Sequence, residues 1–353
     1  MRKGFWILLL ALCIPFASMA EEIVIGRQSL AADTAHVVLE SPRLSASRLI
    51  SALSELDAME SLALMNCVYE PKDLIKIREA FPDVDFRAVF KWKNHQYDTD
   101  ATETAIRAST VHINDLRAFL DVMSNLKEAD MNLVRISLDN MKGILADYPQ
   151  IEFAWKLPIN NKRIPTNVTA YSTKNEGGAT GHKTDYFEEH LPYLPDLLAL
   201  DLGHNSIDDL NFLSLYPELR VLILADNELT GEDLETLARC CPKLEYLEIF
   251  MNRIEDISAL AKLKNLRHLN ISRNRIADAS PILEMPQLER CWIAVNQFPE
   301  EQRQMLREAM PQTWFEFDAI NCTAAGWREN SKEYAVIFQI FKHYAYMPFD
   351  TKE

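Results

Sequence analysis

Leu197-Leu198-Ala199-Leu200-Asp201-Leu202-Gly203-His204-Asn205-Ser206-Ile207 is the stretch from which the chain is read. Its spacing, L-x-x-L-x-L-x-x-N-x-L, returns without a break. Leu219, Leu222, Leu224, Asn227 and Leu229 follow; then Leu244, Leu247, Ile249, Asn252 and Ile254; then Leu266, Leu269, Ile271, Asn274 and Ile276; and last Leu288, Cys291, Ile293, Asn296 and Phe298. The asparagines lie 22, 25, 22 and 22 residues apart. Five in-phase matches at five fixed positions point to a stacked repeat rather than to ordinary core periodicity.

Alternation around Leu200-Asp201-Leu202 is the period-2 pattern of a short strand. One such strand per repeat predicts a parallel sheet, with the leucines facing inward, each burial worth about 1.5–3 kcal/mol. The asparagine falls where the chain must turn inside the stack, and its amide can pair backbone groups that would otherwise be buried unsatisfied. Asn205, Asn227, Asn252, Asn274 and Asn296 are therefore read as a structural ladder. The 25-residue repeat contains Gly231-Glu232-Asp233-Leu234-Glu235-Thr236-Leu237-Ala238-Arg239, acidic at its front and basic at its end, which predicts a true helix there.

Residues 197–298 resemble the short leucine-rich repeats of internalins. Asn205-Ser206-Ile207-Asp208-Asp209-Leu210 and Asn252-Arg253-Ile254-Glu255-Asp256-Ile257 carry that family's signature, while Leu234 and Ala279 depart from it. The resemblance implies an α/β fold, a right-handed leucine-rich repeat solenoid with a parallel β-sheet on its concave face. It also implies protein binding through that face, and an exported bacterial protein.

Upstream the frame persists in degraded form at Met59, Leu62, Leu64, Cys67 and Tyr69, and at Leu126, Ala129, Met131, Val134 and Ile136. Pro71 to Phe86, Leu138 to Phe153 and Pro299 to Phe315 read as variants of one unit, a helix followed by a returning strand. Met59 and Leu126 are 67 apart, as are Phe86 and Phe153, the signature of a duplicated block. The expected organisation is a leader over 1–20, irregular helical leucine-rich repeats over 21–155, an inserted loop or linker over 156–190, regular repeats over 191–317 and a C-terminal cap over 318–353. The insertion is inferred from its loss of periodicity and its Pro, Asn, Thr, Gly and Lys content. The last segment is crowded with aromatics: Tyr334, Ile337, Phe338, Phe341 and Tyr344 fall on one helical face, with Ser331 placed to cap and Lys342-His343 suited to the end. Terminal repeats need such covers because their apolar face has no neighbour.

Residues 1–20 have the charge, apolar run and small-residue ending of a secretory signal peptide. Its apolar core is too short to span a membrane and no later stretch is long enough. Lipidation at Cys13 is discounted because bulky Leu12 precedes it. Arg2 and Lys3 leave with the leader, so 37 basic residues become 35 against 52 acidic ones, net −17. Such a balance disfavours duplex nucleic acid and anionic membranes. The remaining Cys67, Cys240, Cys241, Cys291 and Cys322 form neither a disulfide framework nor a metal spacing and read as packing thiols.

If the leucines face inward, the alternate strand residues face out in three columns: Ala199, Val221, Tyr246, His268, Arg290; Asp201, Ile223, Glu248, Asn270, Trp292; and Gly203, Ala225, Phe250, Ser272, Ala294. An apolar patch on a solvated sheet marks an interaction surface, and Tyr, Trp and Arg are anchor types. Tyr246, Phe250, Met251, His268, Arg290 and Trp292 are thus the expected protein-contact residues, unless the tail or the 156–190 insertion folds over them. Gly177-Gly178-Ala179-Thr180-Gly181-His182-Lys183-Thr184 fails as a phosphate loop, since His182 stands where glycine is required. Thirty-six residues around Cys322 cannot supply a catalytic domain. No H-E-x-x-H or G-x-S-x-G occurs, and the expectation is a secreted non-enzyme with a protein partner and no cofactor, metal or nucleic acid. The competing expectation is a carbohydrate-binding or enzyme-associated protein whose aromatic tail stacks on sugar.

Overall fold

The computed structural model describes residues 22–174, 181–324 and 326–349. The leader and residues 177–180 of the glycine-rich stretch lie outside these residues. The chain forms two compact units: one runs through Arg135 and includes Asn140–Phe153; the other comprises Ile136–Asp139 and the chain from Ala154 onward.

In the first unit β1 (Glu22–Ile25) and β2 (Gln28–Ala31) make an antiparallel hairpin. A four-stranded sheet follows, built of β3 (His36–Glu40), β4 (Ser61–Cys67), β5 (Asp85–Trp92) and β6 (His95–Asp98) in that order. The first three run parallel, joined by α1 (Ala46–Leu53) and α2 (Pro71–Ala80), and β6 turns back antiparallel. A second sheet contains β7 (Glu103–Ala105), β8 (Glu128–Asp130) and β9 (Glu152–Ala154), alternating with α3 (Ile113–Val122) and α4 (Leu138–Asp147). Leu62, Leu64 and Cys67 of the degraded frame are buried, and Trp92 stacks on Phe119 at 4.4 Å. Pro71 to Phe86 and Leu138 to Phe153 each fold as a helix followed by a returning strand.

The second unit opens with the hairpin β10 (Lys156–Ile159) and β11 (Lys162–Pro165), then β12 (Ala170–Ser172) and α5 (Thr184–His190). The expectation of an inserted loop over 156–190 is corrected here. β12 is the first strand of a seven-stranded parallel sheet and pairs Ala170 with Ala199 and Ser172 with Asp201. Pairing through backbone groups needs no leucine, so this strand carries no trace of the frame.

The sheet continues with β13 (Ala199–Asp201), β14 (Val221–Ile223), β15 (Tyr246–Glu248), β16 (His268–Asn270), β17 (Arg290–Trp292) and β18 (Trp314–Glu316), each parallel to its neighbour. Register places the frame in file: Leu200, Leu222, Leu247, Leu269 and Cys291 are successive partners, all wholly buried. Short 3-10 turns link most strands. The 25-residue repeat instead contains α6 (Gly231–Cys240), whose Asp233 carboxylate accepts from the Thr230 N–H at 2.7 Å and its hydroxyl at 2.9 Å. α7 (Glu300–Ala309) precedes β18.

The five asparagines stand in one line. Asn252 donates through Nδ2 to Leu224 O at 3.0 Å and Ile249 O at 3.1 Å, and its Oδ1 accepts from the Leu229 N–H at 3.1 Å. Asn227, Asn274 and Asn296 repeat this pattern, each bonding its own strand and the one before. Asn205 accepts from the His182 N–H at 3.0 Å. Just before each asparagine the backbone enters the left-handed region: His204 (φ 61), Asp226 (φ 55), Met251 (φ 57), Arg273 (φ 51) and Val295 (φ 57). Asn66 (φ 51), before Cys67 of the degraded frame, makes the same turn.

The last helix, α8 (Lys332–His343), begins at Ser331, whose hydroxyl accepts from the Tyr334 N–H at 3.2 Å, and ends at left-handed Tyr344 (φ 55). The sequence leaves two places for this segment, the end of the last repeat or the outward strand columns. This segment lies over the outward columns: Arg290 on β17 bonds Glu333 at its start, and Thr169 and Ala170 at β12 donate to Tyr344 O at 3.2 Å at its end. Ile337, Ile340 and Phe341 of the helix are buried in one cluster with the apolar column residues, whereas Phe338 of the expected aromatic face is exposed.

Candidate functional site

Alternation turns the three columns away from the leucine core; five of the six expected contact residues, Tyr246, Phe250, His268, Arg290 and Trp292, stand in them, and Met251 follows Phe250 at the turn. Tyr246, His268 and Trp292 are nonetheless buried, and Phe250 is 3% exposed. Tyr246, Phe250 and Trp292 share one apolar cluster with Trp327, Ile337, Ile340 and Phe341 of the C-terminal segment. The expectation that Tyr246, Phe250, His268, Arg290 and Trp292 stand open to a protein partner is therefore corrected: this chain's own tail occupies them. The physical reason is the one that made them conspicuous. An apolar patch on a sheet gains by being covered, and the tethered aromatic helix reaches it at high effective concentration.

Two polar anchors hold the cover. Glu248, fully buried on β15, accepts from Trp327 Nε1 at 2.8 Å, from the Tyr246 hydroxyl and from the Arg328 guanidinium. Burial, then the Glu248 charge, pushes the Tyr246 phenol well above its ordinary range. Arg290 bonds Glu333 at 2.7 Å, Ser331 Oγ at 3.1 Å and the carbonyls of Gly326 and Trp327, with its guanidinium 4.5 Å from the Trp327 ring. Gly326 sits at φ 99, a turn few other residues adopt. Asn270 donates to Cys322 O at 2.8 Å. His268 is pushed down to about 4 by burial, then by Arg290, and its Nδ1 has no partner among the described residues.

Met251 alone of the six is open, 38% exposed. Its left-handed turn places it beside a cleft of about 540 Å³ between the strand ends and the loop 320–323. His204 and Arg273, at the same turn of other repeats, line it too, with Lys174, Phe250, Ile320, Cys322 and Arg328. Lys174, Arg273, Ile320 and Arg328 were not singled out from the sequence. The available signal was the position before each ladder asparagine, which the repeat aligns along one rim.

All five cysteines among the described residues are free and buried, and burial raises the Cys291 and Cys241 thiols. His182 and His190 flank Tyr186 at 3.7 and 4.2 Å as a ring stack. Among the described residues no group of histidine, cysteine and acidic side chains is arranged to hold a metal, and no helix is long and apolar enough to cross a membrane.

Residues 217–276 match the family model for the leucine rich repeat. That stretch lies within the stacked sheet and its asparagine file, so this part of the chain is built of leucine-rich repeats. Solved structures similar to it include an internalin from Listeria monocytogenes, 17% identical, covering 82% of this chain and 84% of that one with a TM-score of 0.35. A second Listeria monocytogenes protein, internalin C2, is 22% identical over 54% of this chain and 77% of its own, with a TM-score of 0.31. A leucine-rich repeat protein from Leptospira interrogans is 12% identical over 75% of this chain and 92% of its own, with a TM-score of 0.34.

Proposed function

We propose that this chain is an exported, non-enzymatic leucine-rich repeat protein of the short, internalin-like repeat class that binds another protein. Leucine-rich repeat proteins commonly mediate protein–protein contacts. The observation that carries the reading is the ladder-braced parallel sheet, a rigid platform whose turn positions project a file of dissimilar side chains, His204, Asp226, Met251, Arg273 and Val295. In this reading the side covered by the tail is the concave one, residues 318–349 act as its cap, and partner contact falls on the exposed rim that includes Met251. The sugar-stacking alternative is less favoured, because Trp327 and Phe341 of the tail are enclosed in the core.

The test has two arms. Photo-crosslinkers placed at Asp226 and Val295 should capture a protein from the native surroundings, and the purified pair should then bind saturably at one-to-one stoichiometry. Failure to reconstitute binding with any captured protein overturns the reading. For export, the chain recovered outside the cell should begin at Glu21; a chain retained inside the cell with its leader intact overturns that part.

A further inference from the structure

The protein as a whole is strongly acidic, net −15, yet the cleft beside Met251 is lined by Lys174, Arg273 and Arg328 and by no carboxylate among the described residues. Nearby acids are already engaged. Glu248 is held by Arg328, Trp327 and Tyr246, and Asp226 pairs with His204 Nδ1 at 2.9 Å. Arg328 is paired with Glu248; Asp201 and Glu248 act on Lys174 through space, and Arg273 has no ion pair among the described residues. Arg273 donates to Ile320 O at 2.8 Å, which fixes its head group against the loop. Beside these cations stand exposed Met251 and Ile320, the latter 82% exposed. A cleft of this volume suits a few side chains.

We propose that this cleft receives an acidic segment of the partner protein, with a carboxylate set between Lys174 and Arg273 and a neighbouring apolar side chain against Met251 and Ile320. The inference rests on the protein-binding reading above and names the surface and the partner chemistry. Charge complementarity selects the occupant: among the described residues the cleft is lined by three cationic side chains and no carboxylate, which favours an anion. Partial desolvation and then the Arg328 guanidinium hold the Lys174 ammonium below the usual lysine range, so a bound carboxylate would restore it.

The probe is a fluorescein-labelled hexapeptide alternating glutamate with leucine or phenylalanine, compared with its glutamine counterpart by fluorescence anisotropy on the full chain. The acidic probe should bind saturably, the glutamine probe at least tenfold more weakly, and Lys174→Glu with Arg273→Glu should weaken the acidic probe at least tenfold. Both positions are exposed, so the melting temperature should hold and confirm folding. Equal binding by the double variant, or no saturable binding by the native chain, overturns the proposal. So does N-acetylglutamate competing with an affinity equal to the peptide's, since a free small acid would then be the ligand. Undiminished affinity of the double variant for the reconstituted protein partner would sink the cleft and leave the protein-binding reading standing; probe binding without any protein partner would do the reverse.

Discussion

The carboxylate of Glu248, on the central strand of the seven, is wholly buried and meets the guanidinium of Arg328, 80 positions further along the chain. A buried carboxylate is costly unless paired, and here the partner arrives from outside the repeats. The pair therefore ties the sheet face to the segment that covers it.

Removing one member should be far worse than removing both charges. Arg328→Met strands a buried carboxylate and should cost about 3–5 kcal/mol in urea unfolding. Adding Glu248→Gln, which keeps an acceptor for Trp327 and Tyr246, should recover at least half of that loss. Two strictly additive costs would show that the pair is not coupled.

His268 makes the fold acid-sensitive. Its imidazole is held near 4 in the folded chain by burial and by Arg290, with Glu333 and Glu289 partly opposing, against about 6.5 when unfolded. The unfolded chain therefore binds the proton more readily, so stability is full above about pH 6.5 and falls toward pH 4, by about 1.4 kcal/mol per unit. His268→Gln should remove this slope from denaturation curves measured between pH 7 and 4.5. An unchanged slope would place the titration elsewhere.

Asn252→Leu should unpair Leu224 O, Ile249 O and the Leu229 N–H within the core. Each buried orphan costs about 1–3 kcal/mol, so a loss of at least 3 kcal/mol is expected in chemical denaturation. A loss below 1 kcal/mol would mean the ladder is dispensable.

Val295 should be replaceable to advantage. It is β-branched, half exposed and left-handed at φ 57, a conformation that costs most L-residues about 1–2 kcal/mol. Val295→Asn should stabilise by about 1 kcal/mol, raising Tm by about 2–4 °C for a unit of this size. No gain in calorimetry would show that the turn is not strained there.

Ending the chain at Phe317 should expose Tyr246, Phe250 and Trp292. The shortened protein should bind a hydrophobic dye and self-associate in light scattering. A monodisperse, dye-silent product would show that the cover contributes little to folding.

Much of the second unit was legible because its interactions are local and periodic. The leucine frame, the asparagine file, the helix at Gly231–Cys240 and the Ser331-capped helix each depend on residues a few positions apart or one repeat apart. β12 escaped notice because Ala170-Tyr171-Ser172 pairs through its backbone and breaks no rule of a loop. The cleft escaped because Lys174, Arg273 and Ile320 are brought together from distant parts of the chain, with no shared spacing.

The repeat spacing was enough to say that residues 197–298 stack, where the strands of those five repeats fall and which side chains leave the leucine core. Only the tertiary structure decided that those outward residues are covered by the chain's own tail and that the open positions lie at the turns. The reason is physical: periodic burial is specified within each repeat, whereas docking Arg328 on Glu248 depends on two surfaces meeting across 80 residues, and no local pattern encodes that meeting.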